Sequence, residues 1–299
     1  MTKKGIVLQS IGGFYYVEAA DAVYACRAKG AFRNRRMTPL AGDWVEITTQ
    51  EDGSGTLQEV MERRNYLIRP AVANVDVLVI VASTCDPMPN LLVLDKMIAS
   101  AEYRGIEPVL VVNKADLADG KWLADVYRLA GLETFMLTAF DIGSVQSLRQ
   151  RLSQKVSVFT GNSGVGKSTL LNILAPGLML PTGEISKKLG RGKHTTRSAS
   201  LYKLAEGGYL VDTPGFSSID LARTDDFSAQ ELPNCFRDFR PYLGCCRFTS
   251  CAHIKEAGCA VIKAVREEKI AVSRHESYIS IYNEIKDRRD WVKPKKTNA

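Results

Sequence analysis

Two short stretches carry residue types and spacings suited to a nucleotide. GNSGVGKST at 161–169 fits G-x-x-x-x-G-K-[ST], in which a glycine-rich loop lets backbone N–H groups close around phosphates at a helix N-terminus. The expected contacts run through Gly161, Asn162, Ser163, Gly164, Val165, Gly166, Lys167, Ser168 and Thr169. Lys167 is expected to bridge the β- and γ-phosphates and so to take part in catalysis, and the Ser168 hydroxyl to bind Mg²⁺. The second stretch, VVNKADL at 111–117, supplies a base reader. A carboxylate at Asp116 accepts from guanine N1–H and the exocyclic amine, whereas adenine has an acceptor at N1 and no such amine. Asn113 is expected to read the other edge of the base and brace the phosphate loop, Lys114 to lie along the ring, and the backbone of Ala139 in LTAF to donate to guanine O6.

Two further pieces complete the set. DTPG at 212–215 follows the apolar GYLV, which places Asp212 near Mg²⁺ and the Gly215 N–H near the γ-phosphate. GKHTTR at 192–197 offers Thr195 or Thr196 to the metal. In many GTPases a glutamine after DxxG orients the attacking water, but Phe216 stands at that position and its ring cannot. His194 is the nearest candidate, since an imidazole can orient or deprotonate water near neutral pH. An ordinary role for His194 against solvent or RNA remains the competing reading.

A third constellation points to a metal. The chain has seven cysteines, and five lie between Cys235 and Cys259. Cys246, Cys251, His253 and Cys259 form C-x4-C-x-H-x5-C, a Cys3His set of the kind that holds one structural zinc and leaves no open position. Cys245 competes for the first place. An odd cysteine count without an export signal argues against a disulfide framework.

These residues need elements to hold them. From Gly5 to about Met61 the segments IVLQS, FYYVEA, VYACRA, DWVEITT and TLQEV alternate with glycine turns, which predicts a small antiparallel barrel of oligonucleotide-binding type. Its loop AFRNRRMTPLAGD carries Phe32, Arg33, Arg35 and Arg36, a charge-plus-aromatic set suited to RNA. Apolar strands then alternate with amphipathic helices from VDVLVIVAS to VSVFTG, predicting a parallel sheet covered on both faces. From about Ile219 no strand pattern survives, and a cysteine-rich loop leads into helical segments. The expected units are 1–66, an RNA-binding barrel; 67–220, a nucleotide-binding α/β domain; and 221–299, a helical metal-stapled domain.

The motif order is base reader, supporting TA, phosphate loop, threonines and DTPG, the reverse of expectation for the first and third. A parallel sheet is defined by which strands are neighbours, so joining the natural ends and cutting a surface loop elsewhere preserves the site. The fold is therefore expected to be circularly permuted. Over 299 residues, 45% apolar and 24% charged composition describes a globular protein rather than a disordered one, and a net charge of +7 suits a polyanionic partner. The longest strongly apolar run, Val75 to Ala82, is too short to span a bilayer, so a cytoplasmic protein without a membrane partner is expected.

NKADL, GNSGVGKSTLLN, GRGKHTTR, DTPGF and the cysteine pattern together resemble the ribosome small-subunit-dependent GTPase A family (RsgA, also called YjeQ or YloQ). The resemblance spans nearly the whole chain. It implies a multidomain α/β protein with an N-terminal OB-fold barrel, a central permuted P-loop GTPase domain and a C-terminal helical zinc domain. It favours Cys246 over Cys245 as ligand. It further implies a GTPase acting in late maturation of the small ribosomal subunit, hydrolysing GTP to GDP and phosphate with subunit-stimulated turnover, in contact with rRNA and expected to be monomeric. The alternative is an rRNA-binding assembly checkpoint in which GTP only stabilises one conformation. A small-molecule kinase is disfavoured by the guanine reader.

Overall fold

The computed structural model describes residues 1–29, 38–50, 53–138, 142–176, 199–212 and 227–287. Strands β1 (Thr2–Ile11), β2 (Phe14–Ala19), β3 (Val23–Ala28), β4 (Trp44–Thr49) and β5 (Ser54–Val60) close into a barrel in the order β1-β2-β3-β5-β4. That is the OB-fold order: β1 pairs antiparallel with both β2 and β4, and β3 pairs parallel with β5. Alternation drives the closure, because Val7, Val17, Tyr24, Cys26, Val45, Ile47 and Leu57 point inward to one core. The outward Ile6 is equally buried, but against the neighbouring α/β unit. A two-stranded hairpin, β6 (Tyr66–Leu67) and β7 (Val72–Ala73), leads out of the barrel.

The central sheet contains β8 (Val77–Ser83), β9 (Glu107–Asn113), β10 (Glu133–Met136), β11 (Val156–Thr160), β12 (Ser200–Lys203) and β13 (Tyr209–Asp212), in the order β10-β9-β8-β11-β13-β12. Five strands run parallel. β12 runs antiparallel to β13, so the sheet is mixed rather than parallel throughout. The four-residue β12 is an edge strand with two exposed residues, too short and too polar to declare itself by pattern.

The inner strands β8, β9 and β11 are buried on both faces, and their alternation sorts the covering helices. Leu78, Ile80, Leu110 and Val112 share a core with α1 (Leu91–Tyr103) and α2 (Lys121–Leu129). Val77, Val79, Val109, Val111 and Phe159 share another with α3 (Ile142–Leu152) and α4 (Lys167–Leu174). Between β8 and β11 the chain changes direction across the sheet, and the crevice at the carboxyl ends of such strands is where α/β folds place ligands.

Among the described residues no strand follows residue 227. Two 3-10 turns, Leu232–Cys235 and Arg237–Tyr242, precede α5 (Ala260–Arg266) and α6 (Val272–Ile285). Phe236, Phe239 and Tyr278 centre a fourth core, with ring centroids 4.8–5.3 Å apart. This layer is seated on α1. Arg274 of α6, 1% exposed, reaches Asp95 of α1 and takes Asp238 through two nitrogens at 2.9 and 3.2 Å, with its guanidinium 4.5 Å from the Phe236 ring. No helix among the described residues is long and apolar enough to cross a membrane.

Candidate nucleotide site and metal centre

The phosphate loop joins β11 to α4. Two glycines in it have no substitute. A Cβ on Gly161 would lie 2.2 Å from the Val81 carbonyl, and one on Gly166, at φ 90°, would lie 2.3 Å from Asn113 Nδ2. Gly166 also occupies the N-cap position of α4, so the N–H groups of that helix open toward the loop. Lys167 Nζ donates to the carbonyls of Gly161 at 2.9 Å and Asn162 at 3.4 Å. Burial lowers the pKa of this ammonium, and an anionic partner would oppose that shift by stabilising the charged form. Asn162, Ser168 and Thr169 are half-buried, Ser163 and Gly164 exposed, and Val165 buried beneath the loop.

The NKAD segment leaves the end of β9, one strand beyond β8, and yet touches the phosphate loop. Asn113, 6% exposed, donates through Nδ2 to the Val165 carbonyl at 2.8 Å. This bond ties the segment to the phosphate loop. Lys114 takes a left-handed φ of 61°, which turns the chain so that Asp116 emerges exposed. Its Nζ donates to the Asp86 carbonyl at 2.6 Å. Ala115 N–H donates to the Leu137 carbonyl at 3.2 Å, tying this turn to the chain leaving β10. Asp212 ends β13, which pairs directly with β11. Ala139, His194, Thr195, Thr196, Gly215 and Phe216 lie outside the described residues, as do Phe32, Arg33, Arg35 and Arg36.

The structure brings Cys246, Cys251, His253 and Cys259 together, with donor atoms all within 4.8 Å of one another. His253 Nδ1 lies 3.5 Å from Cys246 Sγ and 3.4 Å from Cys259 Sγ, and the two sulfurs are 3.9 Å apart. A tetrahedral ion with arms of about 2.3 Å to sulfur requires edges of about 3.8 Å, so the donor set fits. Cys245 is exposed and stands outside the cluster, and Cys235 is buried elsewhere, donating to the Glu231 carbonyl. Burial pushes the Cys251 thiol up to about 12, and a divalent ion is what would hold it as thiolate. The Ala260 and Ile262 N–H groups donate to Cys246 and Cys259 sulfur.

Sequence reasoning passed over the residues that hold these groups. The Glu256 carboxylate accepts from the N–H groups of Ala252, Ile254 and Lys255 at 2.9–3.0 Å, shaping the metal loop. Thr84 and Ser83, at the end of β8, contact the NKAD turn and the adjoining loop. Neither group belongs to a motif whose spacing could have marked it.

The model of the RsgA GTPase family matches residues 60–222, and that of the RsgA N-terminal domain matches residues 4–57. The chain belongs to the RsgA GTPase family. It is a GTP-hydrolysing enzyme of that family, and its central domain is a circularly permuted GTPase domain. A small ribosomal subunit biogenesis GTPase RsgA of Alkaliphilus metalliredigens is 42% identical over 293 residues, covering 96% of this chain and 99% of that one. One from Oceanobacillus iheyensis, named RsgA 2, is 39% identical over 292 residues, covering 96% and 98%. Among solved structures, YjeQ from Thermotoga maritima superposes with a TM-score of 0.82 at 33% identity, over 97% of this chain and 100% of that one. YloQ, described as a circularly permuted GTPase, gives 0.82 and 33% over 97% and 96%.

Proposed function

We propose that this RsgA-family enzyme acts on the small ribosomal subunit late in its maturation, binding it in the GTP state and leaving after hydrolysis. The observation that carries the nucleotide half of this reading is the Asn113–Val165 bond, which couples a guanine reader to a phosphate loop across β8. In this reading Asp116 selects guanine, Lys114 flanks the base, and Ala139 donates to O6. The loop from Gly161 to Thr169 cradles the phosphates, Lys167 neutralises the β,γ-bridge, and the Gly215 N–H meets the γ-phosphate. Ser168, with Thr195 or Thr196 and Asp212, holds Mg²⁺, which supplies charge neutralisation to the transferring phosphoryl group. The four-donor cluster holds one structural zinc. The units are 1–66, 67–220 and 221–299, with Phe32, Arg33, Arg35 and Arg36 of the first contacting rRNA. The relatives' names and the net charge of +7 support the ribosomal partner, and a cytoplasmic monomer follows from the same reading.

The phosphate loop and base reader do not by themselves supply a water-orienting group, since Phe216 replaces the usual glutamine. We assign that task to His194. Single-turnover phosphate release, with and without small subunits, tests both points. Wild-type protein is expected to be slow alone and stimulated by subunits; a rate indifferent to subunits would favour the checkpoint alternative. His194→Ala is expected to keep GTP binding and lose ~10² to 10⁴-fold of the stimulated rate, whereas a full maximal rate at saturating subunit would remove His194 from the chemistry.

A further inference from the structure

The base reader depends on a backbone turn that an ordinary residue adopts reluctantly. Lys114, not glycine, sits at φ 61°, a conformation that persists for a long side chain only where its surroundings hold it. The carbonyl of Lys114 accepts two hydrogen bonds. One comes from the Leu117 N–H at 3.0 Å, closing the turn that carries Asp116. The other comes from the hydroxyl of Thr84, at 2.8 Å, from the end of the adjacent strand β8.

Thr84 grips the same turn a second time. Its own N–H donates to the Asn113 carbonyl at 3.1 Å, extending the β8–β9 ladder one residue past Ser83 and Asn113. The side chain is 3% exposed, and its methyl packs where Gly120 leaves room: a Cβ on Gly120 would lie 2.5 Å from Thr84 Cγ2. The neighbouring residues continue the cradle, with Ser83 Oγ donating to the Pro87 carbonyl and the Asp86 carbonyl accepting from Lys114 Nζ. Every hold on Lys114 named here except the turn's own Leu117 bond therefore originates in the segment that ends β8.

We infer that Thr84 is a positioning residue for guanine recognition: its hydroxyl fixes the Lys114 carbonyl, and through it the direction in which Asp116 presents its carboxylate. This rests on the reading of Asp116 as the guanine reader. A carboxylate must meet N1–H and the exocyclic amine together, and two simultaneous hydrogen bonds tolerate little misalignment. Loss of the Thr84 hydroxyl should therefore weaken recognition of the base while leaving the phosphate loop and its chemistry in place.

Steady-state hydrolysis of GTP and ITP by the full chain with Thr84→Val and Thr84→Ser decides the matter. Inosine lacks the exocyclic amine, so it offers Asp116 one bond instead of two. Thr84→Val, which keeps the shape and removes the hydroxyl, is expected to raise KM for GTP about 3- to 10-fold, raise KM for ITP less, and leave kcat within about twofold. Thr84→Ser, which keeps the hydroxyl and removes the methyl against Gly120, is expected to behave as wild type. Thr84→Ser impaired and Thr84→Val normal would assign the site to packing and overturn the inference, as would an equal rise for both nucleotides or a fall in kcat. If wild-type protein fails to prefer GTP over ITP, the assignment of Asp116 itself fails; if it prefers GTP and Thr84→Val retains the full preference, only the role of Thr84 falls.

Discussion

Asn113 and Asp116 are three residues apart, and the structure gives them opposite environments. Asn113 is buried and directed at the Val165 carbonyl, while Asp116 stands exposed beyond the left-handed Lys114. The division makes physical sense: a buried amide can brace a loop permanently, and an exposed carboxylate can be desolvated by a base when one arrives. On the proposed reading, specificity for guanine resides in that one carboxylate. Asp116→Asn places an amide donor where the guanine amine also donates, and the same amide suits the 2-oxo group of xanthine. GTP binding is expected to weaken by about 10- to 100-fold with a gain for xanthine nucleotides, read by competition binding. An unchanged preference for GTP would remove Asp116 from the base site.

At the scale of elements, α1 links the nucleotide crevice to the C-terminal layer. Its first turn is capped by Asn90, whose side chain accepts from the Val93 N–H at 3.2 Å, and its buried face lies under β8. Its other side meets α6 through Arg274, Asp95 and Asp238. Burial opposes the charge on Arg274, but Asp95 and Asp238 outweigh it and hold the guanidinium protonated. Burial likewise pushes the Asp95 carboxyl up, with Arg274 pulling it back down. Replacing Arg274 alone leaves two carboxylates buried without a cation. Arg274→Met is expected to cost about 3–5 kcal/mol in urea unfolding. Converting all three together, Arg274→Met with Asp95→Asn and Asp238→Asn, should cost less than Arg274→Met alone, because no charge is then stranded; a triple variant as damaged as the single one would contradict this account.

The described residues pack around four cores, one in the barrel, one on each face of the sheet and one in the C-terminal layer. The barrel docks on the edge of the sheet, where Glu18 meets Lys203 at 2.5 Å and Tyr209 at 2.6 Å, and Ser200 donates to Gln9 at 3.3 Å. β12, the strand that follows GKHTTR in sequence, is thus held by the barrel as well as by β13. The Cys3His cluster lies in a loop that has few apolar contacts of its own: Cys245, Arg247, Phe248, Thr249 and Ser250 are all exposed. Metal binding and folding of such a loop are one equilibrium. Native mass spectrometry is expected to find about one zinc per chain. Chelation should open residues 245–259 to protease while GTP binding at the distant crevice persists. A metal-free chain with an equally protected C-terminal region would refute the structural role.

The sequence by itself determined the chemistry and the class of architecture. GNSGVGKST, NKAD and C-x4-C-x-H-x5-C carry their meaning in residue type and local spacing, and the five barrel strands and most of the α/β alternation show as hydrophobic periodicity, which is local too. Circular permutation was legible for the same reason, since it is a statement about order along the chain. Tertiary structure alone decided what depends on neighbours remote in sequence. It brought Cys246 rather than Cys245 beside His253, a choice that spacing alone left open and only the family resemblance had favoured. It revealed β12, whose pairing partner rather than its composition makes it a strand. It placed Thr84 against Lys114, 30 residues away, and Arg274 against Asp95, 179 residues away. Those contacts follow no period or motif; they exist because the sheet sets β8 beside β9 and the packed core sets α6 on α1, and a buried polar group must find its partner wherever the fold supplies one.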